Sequence, residues 1–165
     1  MKKLYMILML AGLSLMGVSC GGDDTVVDPE PPVVIPDNPV LPTYPTFDAP
    51  DWSVNNISSF ENTMTFVIVL PDSLKSNEDA SDKLAVFVKE DCRGIAERLE
   101  VSTGQFVWLA MVYGNTSSDV LQFHYYSSKS KHKYYSAETI SYIIDGSFGT
   151  IDMPKTVGMK IVTKK

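Results

Sequence analysis

Leu84-Ala85-Val86-Phe87-Val88-Lys89-Glu90-Asp91-Cys92-Arg93-Gly94-Ile95-Ala96 decides the fold class. Five apolar residues rich in β-branched and aromatic types are followed by a polar turn at Lys89, Glu90 and Asp91. A second short run then returns through Cys92 and Ile95. This is the pattern of two strands joined by a turn. Upstream, residues 63–70 (TMTFVIVL) form a long β-branched run that Pro71-Asp72 stops. Downstream, residues 106–113 form a buried run ended by Gly114-Asn115, and residues 120–126 alternate. Lys133-Tyr134-Tyr135 is a short strand, residues 139–144 lead into Asp145-Gly146, and residues 159–163 close the chain. Trp52-Ser53-Val54 is expected to open the domain as a strand. The spacing predicts an all-β domain, an antiparallel β-sandwich of about seven to nine strands.

No segment presents an apolar face of 3.6-residue period. Residues 76–83 are polar and read as an exposed loop with at most one turn. Residues 95–101 read as strand, because Gly94 precedes them and strands flank them. No internal repeat is visible.

Outside this domain the composition changes sharply. Residues 21–50 hold eight of the ten prolines and six acids, with no Lys or Arg. Proline fixes φ and pushes its predecessor toward extended geometry, which excludes a helix. The stretch is expected to be a semi-rigid spacer at ~3.1 Å per residue, reaching at most about 90 Å. An SH3-type ligand is the rival reading of such a stretch and fits poorly with an exported chain.

The N-terminus supplies an address. Lys2 and Lys3 precede an uncharged run of 15 residues, 4–18. That is shorter than the ~20 residues a membrane-spanning helix needs, and it has the flanks of a signal peptide. Gly17-Val18-Ser19-Cys20 resembles the bacterial lipobox, with Gly17 where that pattern prefers Leu. The resemblance implies cleavage after residue 19 and acylation of Cys20, which would tie the chain to a membrane. An ordinary secretory signal with an incidental Cys is the alternative. Cys20-Gly21-Gly22-Asp23-Asp24 resembles the acidic export tag of Bacteroidetes surface lipoproteins, which implies an outer-membrane, surface-exposed location. The resulting division is 1–19 signal peptide, 20–50 lipidated Cys and stalk, and 51–165 β-sandwich domain.

The whole chain carries a formal charge of −6, with a pI near 4.8. Most of that acidity lies in the stalk. Residues 51–165 contain 12 basic and 14 acidic groups and are close to neutral. This composition argues against nucleic acid as a partner. With Cys20 acylated, Cys92 has no partner for a disulfide, so the core alone must hold the domain.

The hairpin itself carries a further resemblance. Residues 84–96 are similar to a β-module of Bacteroidetes surface and secreted proteins whose hallmark runs A-F-V-x-x-x-C-R-G-x-A. Met64-Thr65-Phe66-Val67, Phe123-His124-Tyr125-Tyr126 and the Gly149-Thr150 to Pro154 segment match its other motifs in order, across about residues 51–165. Lys89 stands where that family often has Gly, which implies a different turn type. The resemblance implies an immunoglobulin-like or related sandwich and no catalytic activity.

Candidate sites follow from residue types. Cys92, Arg93 and Gly94 form the structural hallmark. In a regular strand Cys92 and Gly94 share one face and Arg93 takes the other. A nucleophilic reading of Cys92 needs a histidine base, and only His124 and His132 exist. The simpler reading is a buried thiol, a paired Arg and a Gly that permits a bulge or close packing. Two histidines and one thiol have no zinc spacing. Glu78, Asp79 and Asp82, with Glu90 and Asp91, are the right ligand type for calcium but lack its loop pattern, and read as solvated charges. No metal or cofactor is expected.

Lys129-Ser130-Lys131-His132-Lys133 lies between Tyr125-Tyr126 and Tyr134-Tyr135. The setting predicts a hairpin with a soluble lysine turn. Outward tyrosine rings from each pair, with Trp52, are the ligand-binding candidates: Trp52, Tyr125, Tyr126, Tyr134 and Tyr135. Such rings stack on the apolar faces of sugars. Asp72-Ser73-Leu74 resembles an O-glycosylation acceptor of Bacteroides-type bacteria. The sequence thus favours a membrane-anchored binding or adhesion module whose ligand is a glycan or a protein. An accessory subunit of an envelope complex, pairing through a strand edge, is the alternative. An enzyme is the reading with least support, since no acid, base and nucleophile converge.

Overall fold

The computed structural model describes residues 42–102 and 104–164. The signal peptide, Cys20 and most of the spacer lie outside the described residues. The all-β expectation holds. The strands are β1 Asn62–Val69, β2 Lys83–Val88, β3 Asp91–Glu100, β4 Phe106–Gly114, β5 Val120–Ser127, β6 His132–Ser136, β7 Ile140–Ser141, β8 Ser147–Phe148, β9 Lys155–Thr156 and β10 Met159–Ile161. A single helical turn, α1 Asp72–Lys75, follows Pro71.

The strands form one continuous curled sheet in the order β10-β6-β5-β2-β3-β4-β1-β8. Two pairings lie off this path. β7 extends the β5 edge beyond β6, and β9 pairs with β1 beyond β8. The ladders are antiparallel except those of β8 and β9 with β1, which are parallel. The two layers of the expected sandwich are therefore the opposed walls of a single sheet bent into a half-barrel.

Period-2 alternation builds the inner wall. Met64, Phe66 and Ile68 of β1, Leu84 and Val86 of β2, Trp108, Ala110 and Val112 of β4, and Leu121, Phe123 and Tyr125 of β5 all face one buried core. Burying each large side chain is worth about 1.5–3 kcal/mol. A smaller cluster of Val67, Val69 and Val107, with Leu99 and Leu109 against it, lies on the outer face.

The acidic loop after α1 is not a set of solvated charges. Its residues reach the rings of the inner wall. Trp108 donates its indole N–H to Glu78 Oε1 at 2.6 Å, and Arg98 Nε stands 3.9 Å from the same oxygen. Arg98 in turn lies 3.5 Å over the Phe106 ring. Asp82 is buried, and each of its oxygens is used twice. Oδ2 accepts from the Tyr125 hydroxyl at 2.5 Å and the Asp79 amide at 2.8 Å. Oδ1 accepts from the Ser128 amide and hydroxyl, both at 2.8 Å. A carboxylate buried with four donors is stabilised where an unpaired one would be costly.

Two expectations at the N-terminal side are corrected. Trp52-Ser53-Val54 is not a strand. Residues 42–50, placed in the stalk by their prolines, belong to the domain. The Phe47 amide donates to Lys131 O at 2.8 Å, His132 Nδ1 donates to Pro45 O at 3.0 Å, and Lys83 Nζ donates to Pro50 O at 2.6 Å. Residues 42–61 form a strap over the outer face. It is fastened at its far end by Asn115, which accepts from the Glu61 amide and donates to Ser59 O. Proline cannot join a ladder, so this extended chain lies across the sheet rather than within it. Residues 139–144 contribute only the two residues of β7 to the sheet, and β8 and β9 were not legible in the sequence.

Candidate functional site around Trp52

The hairpin of β2 and β3 turns at Lys89-Glu90, since Val88 pairs with Asp91. Lys89 takes φ 55°, the left-handed conformation that glycine prefers. Past the turn the register slips. Phe87 pairs with Cys92, but Val86 pairs with Gly94, so Arg93 is an extra residue in β3. This β-bulge changes the face assignment. Cys92 and Arg93, expected on opposite faces, line the same outer groove of about 440 Å³.

The packing around Gly94 leaves room for glycine only. A Cβ there would stand 2.5 Å from Met111 O and 2.9 Å from Val112 Cγ2. Beside it, the Arg93 guanidinium lies 4.4 Å over the Phe60 ring of the strap. Its Nη2 stands 3.8 Å from Asp91 Oδ2, and its Nε is buried with no hydrogen-bond partner. Burial pushes the Cys92 thiol above its ordinary value, outweighing a weak contact to Gly94 O. A thiol held protonated is a poor nucleophile. Neither histidine lines this groove.

Trp52 is the centre of the outer face. Its ring stands at 76° to Phe87 and 72° to His124, at centroid distances of 5.7 and 6.4 Å. Phe87 and His124 are themselves stacked at 4.3 Å and 24°. Trp52 thus rises from a flat aromatic floor. On one side it borders the Arg93 groove, with Asn55, Glu90 and Asp51 nearby. On the other it borders a groove of about 300 Å³ that includes Tyr135, Tyr134, His124, Gln122 and Lys133.

Two of the five aromatic candidates meet on the outer face, Trp52 and Tyr135. Tyr134 borders the same groove, but it pairs with Tyr125 and packs against the inner core, a correction to its expected place. Tyr125 and Tyr126 do not line the groove. Tyr125 is fully buried on the inner wall, bonded to Asp82, with its ring 5.7 Å from Tyr134. Tyr126 faces outward but lies under the strap, its hydroxyl donating to Phe47 O at 3.3 Å. Both are corrections to the expected tyrosine platform. The strap, which the sequence assigns to the stalk, is the reason for the second.

Phe87, His124 and Gln122 are site residues that the sequence reading missed. His124 and Gln122 share the outward register with Tyr135, because His124 pairs with Tyr135 across β5 and β6. His124 Nε2 and Gln122 Oε1 are 3.1 Å apart. Burial lowers the His124 pKa below the ordinary histidine value, against a smaller raising effect of Glu90, so the ring is neutral near pH 7. A neutral imidazole offers one donor and one acceptor.

The lysine turn is engaged in structure. Lys129 Nζ is 3.7 Å from Asp79 Oδ2, and Lys133 Nζ lies 5.0 Å over the Phe47 ring. Among the described residues no group of three or more His, Cys, Asp or Glu is placed to hold a metal. Chemically, the outer face offers stacking surface with neutral hydrogen-bonding groups at His124 and Gln122 and charged ones at Lys133, Arg93, Asp51 and Glu90. Searches of protein-family models, curated proteins and solved structures found no match to this chain.

Proposed function

We propose that this chain is a lipid-anchored outer-membrane protein that presents a non-catalytic glycan-binding domain at the cell surface. In this reading Cys20 carries the acyl anchor and the acidic, proline-rich segment up to about residue 41 is the spacer. The β-domain is a member of the Bacteroidetes surface module that the Cys92-Arg93-Gly94 hallmark resembles. The observation that carries the binding role is the convergence of Trp52 and Tyr135 on one groove with His124 and Gln122. Sugar rings bind by stacking an apolar face on an aromatic ring and exchanging hydroxyl hydrogen bonds with polar neighbours.

The test is a glycan array probed with the full chain in detergent. Trp52→Ala and Tyr135→Ala should each abolish the signal, while the variants melt like the parent. An array with no signal for the parent, or signal indifferent to both changes, overturns the reading. Palmitate labelling should disappear in Cys20→Ala; labelling that persists overturns the anchor.

The rival reading is an accessory subunit of an envelope complex. It is favoured by the edge at β10. Gly158 and Val162 bond to β6, so by alternation the backbone groups of Met159 and Ile161 point away from it. An incoming strand would pair there. Ile161→Pro removes one outward N–H and leaves the β6 ladder intact. Loss of a co-purifying protein in that variant, with glycan binding unchanged, would favour this reading.

A further inference from the structure

Trp52 lines three depressions of the outer face: a small one of about 170 Å³ beside Lys83 and Ile95, the groove that holds Tyr135, and the Arg93 groove. The Arg93 groove is larger than the Tyr135 groove, at about 440 Å³ against about 300 Å³. Resting on the reading that this domain binds glycan, we infer that the Arg93 and Tyr135 grooves are subsites of one extended site, straddled by a neutral oligosaccharide with Trp52 between its rings.

Three observations support this. First, Trp52 stands steeply on its floor, at 76° and 72° to the rings beneath it. It lines both grooves, so a sugar can pack against it from either side. Second, the site is long. Tyr135 on β6 and Arg93 on β3 are separated by β5 and β2, three strand spacings or about 14 Å. A single pyranose ring does not fill that span. Third, the Arg93 groove is built for hydroxyl groups. The Arg93 guanidinium is held 4.4 Å over the centre of the Phe60 ring, and Asn55 and Ser53 line the same groove. An Arg guanidinium fixed in this way presents several donors in one plane.

Charge selects the class of ligand. Asp51, Glu90 and Asp91 line the Arg93 groove against one arginine. Three carboxylates repel a uronic-acid or sulfated chain and accept hydrogen bonds from neutral hydroxyls. The bulge at Arg93 is what brings this side chain to the outer face beside Cys92, so these two residues are part of the binding surface under this inference.

The experiment is calorimetric titration of the full chain in detergent with neutral gluco-, manno- and galacto-oligosaccharides of one to six units. Affinity for the recognised series should rise at least about tenfold between the disaccharide and the tetrasaccharide, then level off. Tyr135→Ala should weaken every length. Arg93→Lys should remove the gain with length and leave disaccharide binding as it was. Where Arg93→Lys lowers the melting temperature, Asp51→Ala and Glu90→Ala, both at exposed positions, report on the same groove. Affinity that is flat from disaccharide to hexasaccharide, or a length gain untouched by all three changes, overturns the extended site and leaves the glycan reading standing. Failure of every neutral series to bind overturns this inference, and a glycan array that is blank as well overturns the glycan reading with it.

Discussion

Phe66 and Phe123 lie four strand steps apart in the sheet order, yet their rings meet edge to face at 5.2 Å. In a flat sheet four spacings would separate them by about 19 Å. Their contact measures how far the sheet curls. It joins β1 to β5 across the core, where no backbone hydrogen bond does. Phe66→Leu and Phe123→Leu are expected to destabilise the domain by about 1–3 kcal/mol each. A double-mutant cycle in urea should give a coupling of about 1 kcal/mol, as an aromatic pair in contact does. Strict additivity would contradict the curl.

The Asp82 carboxylate should behave as a buried fastening for its loop. Tyr125→Phe removes one donor at 2.5 Å and keeps the ring, for an expected cost of about 1.5–3 kcal/mol. Asp82→Ala strands the Tyr125 hydroxyl and the Asp79 and Ser128 amides together and should cost more. Amide exchange would show the second change opening residues 76–82 before the rest of the sheet.

Gly94→Ala places a methyl against Met111 O and Val112 Cγ2, atoms of a strand held on both sides. Backbone cannot yield as a side chain tip can. A loss of about 2–3 kcal/mol is expected in chemical denaturation, well beyond the propensity difference between the two residues. A neutral outcome would show that the β3–β4 packing is looser than described.

His124 makes stability depend on pH in a defined direction. Its folded pKa is lowered by burial, so the folded state resists a proton that the unfolded chain accepts. Below about pH 6.5, the ordinary histidine value, the unfolded state binds more protons and stability falls as pH falls. His124→Phe keeps a ring on Phe87 and removes this contribution. Urea midpoints at about pH 7 and about pH 5.5 should differ less in the variant than in the parent.

The Cys92 thiol, held protonated by burial, should react slowly with a thiol reagent at about pH 8. Unfolding in urea should restore the rate of a free cysteine. A folded-state rate equal to that of free cysteine would mean that the thiol is exposed and ionised, and would reopen a chemical role for it.

Much of this architecture is legible in the residues alone. β1, β2, β4 and β5 carry β-branched and aromatic runs ended by Pro71, Lys89 or Gly114, and such runs specify strands wherever they pack. The hairpin at Lys89-Glu90 follows from local sequence, whereas the need for glycine at Gly94 comes from the close approach of Met111 and Val112 on β4. Tyr125 and Tyr134 could be paired on one face by alternation. The very short β7, β8 and β9 carry no pattern of their own, because a two-residue strand exists only through the neighbour that binds it.

Composition and periodicity by themselves determined that this domain is all β and where its long strands lie. Tertiary structure alone decided three things. It joined the strands into one curled sheet, because closure depends on side chains four strands apart. It moved Arg93 onto the face of Cys92, because a bulge is a property of two paired strands and not of either one. It also turned residues 42–50 from spacer into strap, since proline excludes a chain from a ladder but leaves it free to pack across one. That last step buries Tyr126, seats Trp52 and so makes the groove.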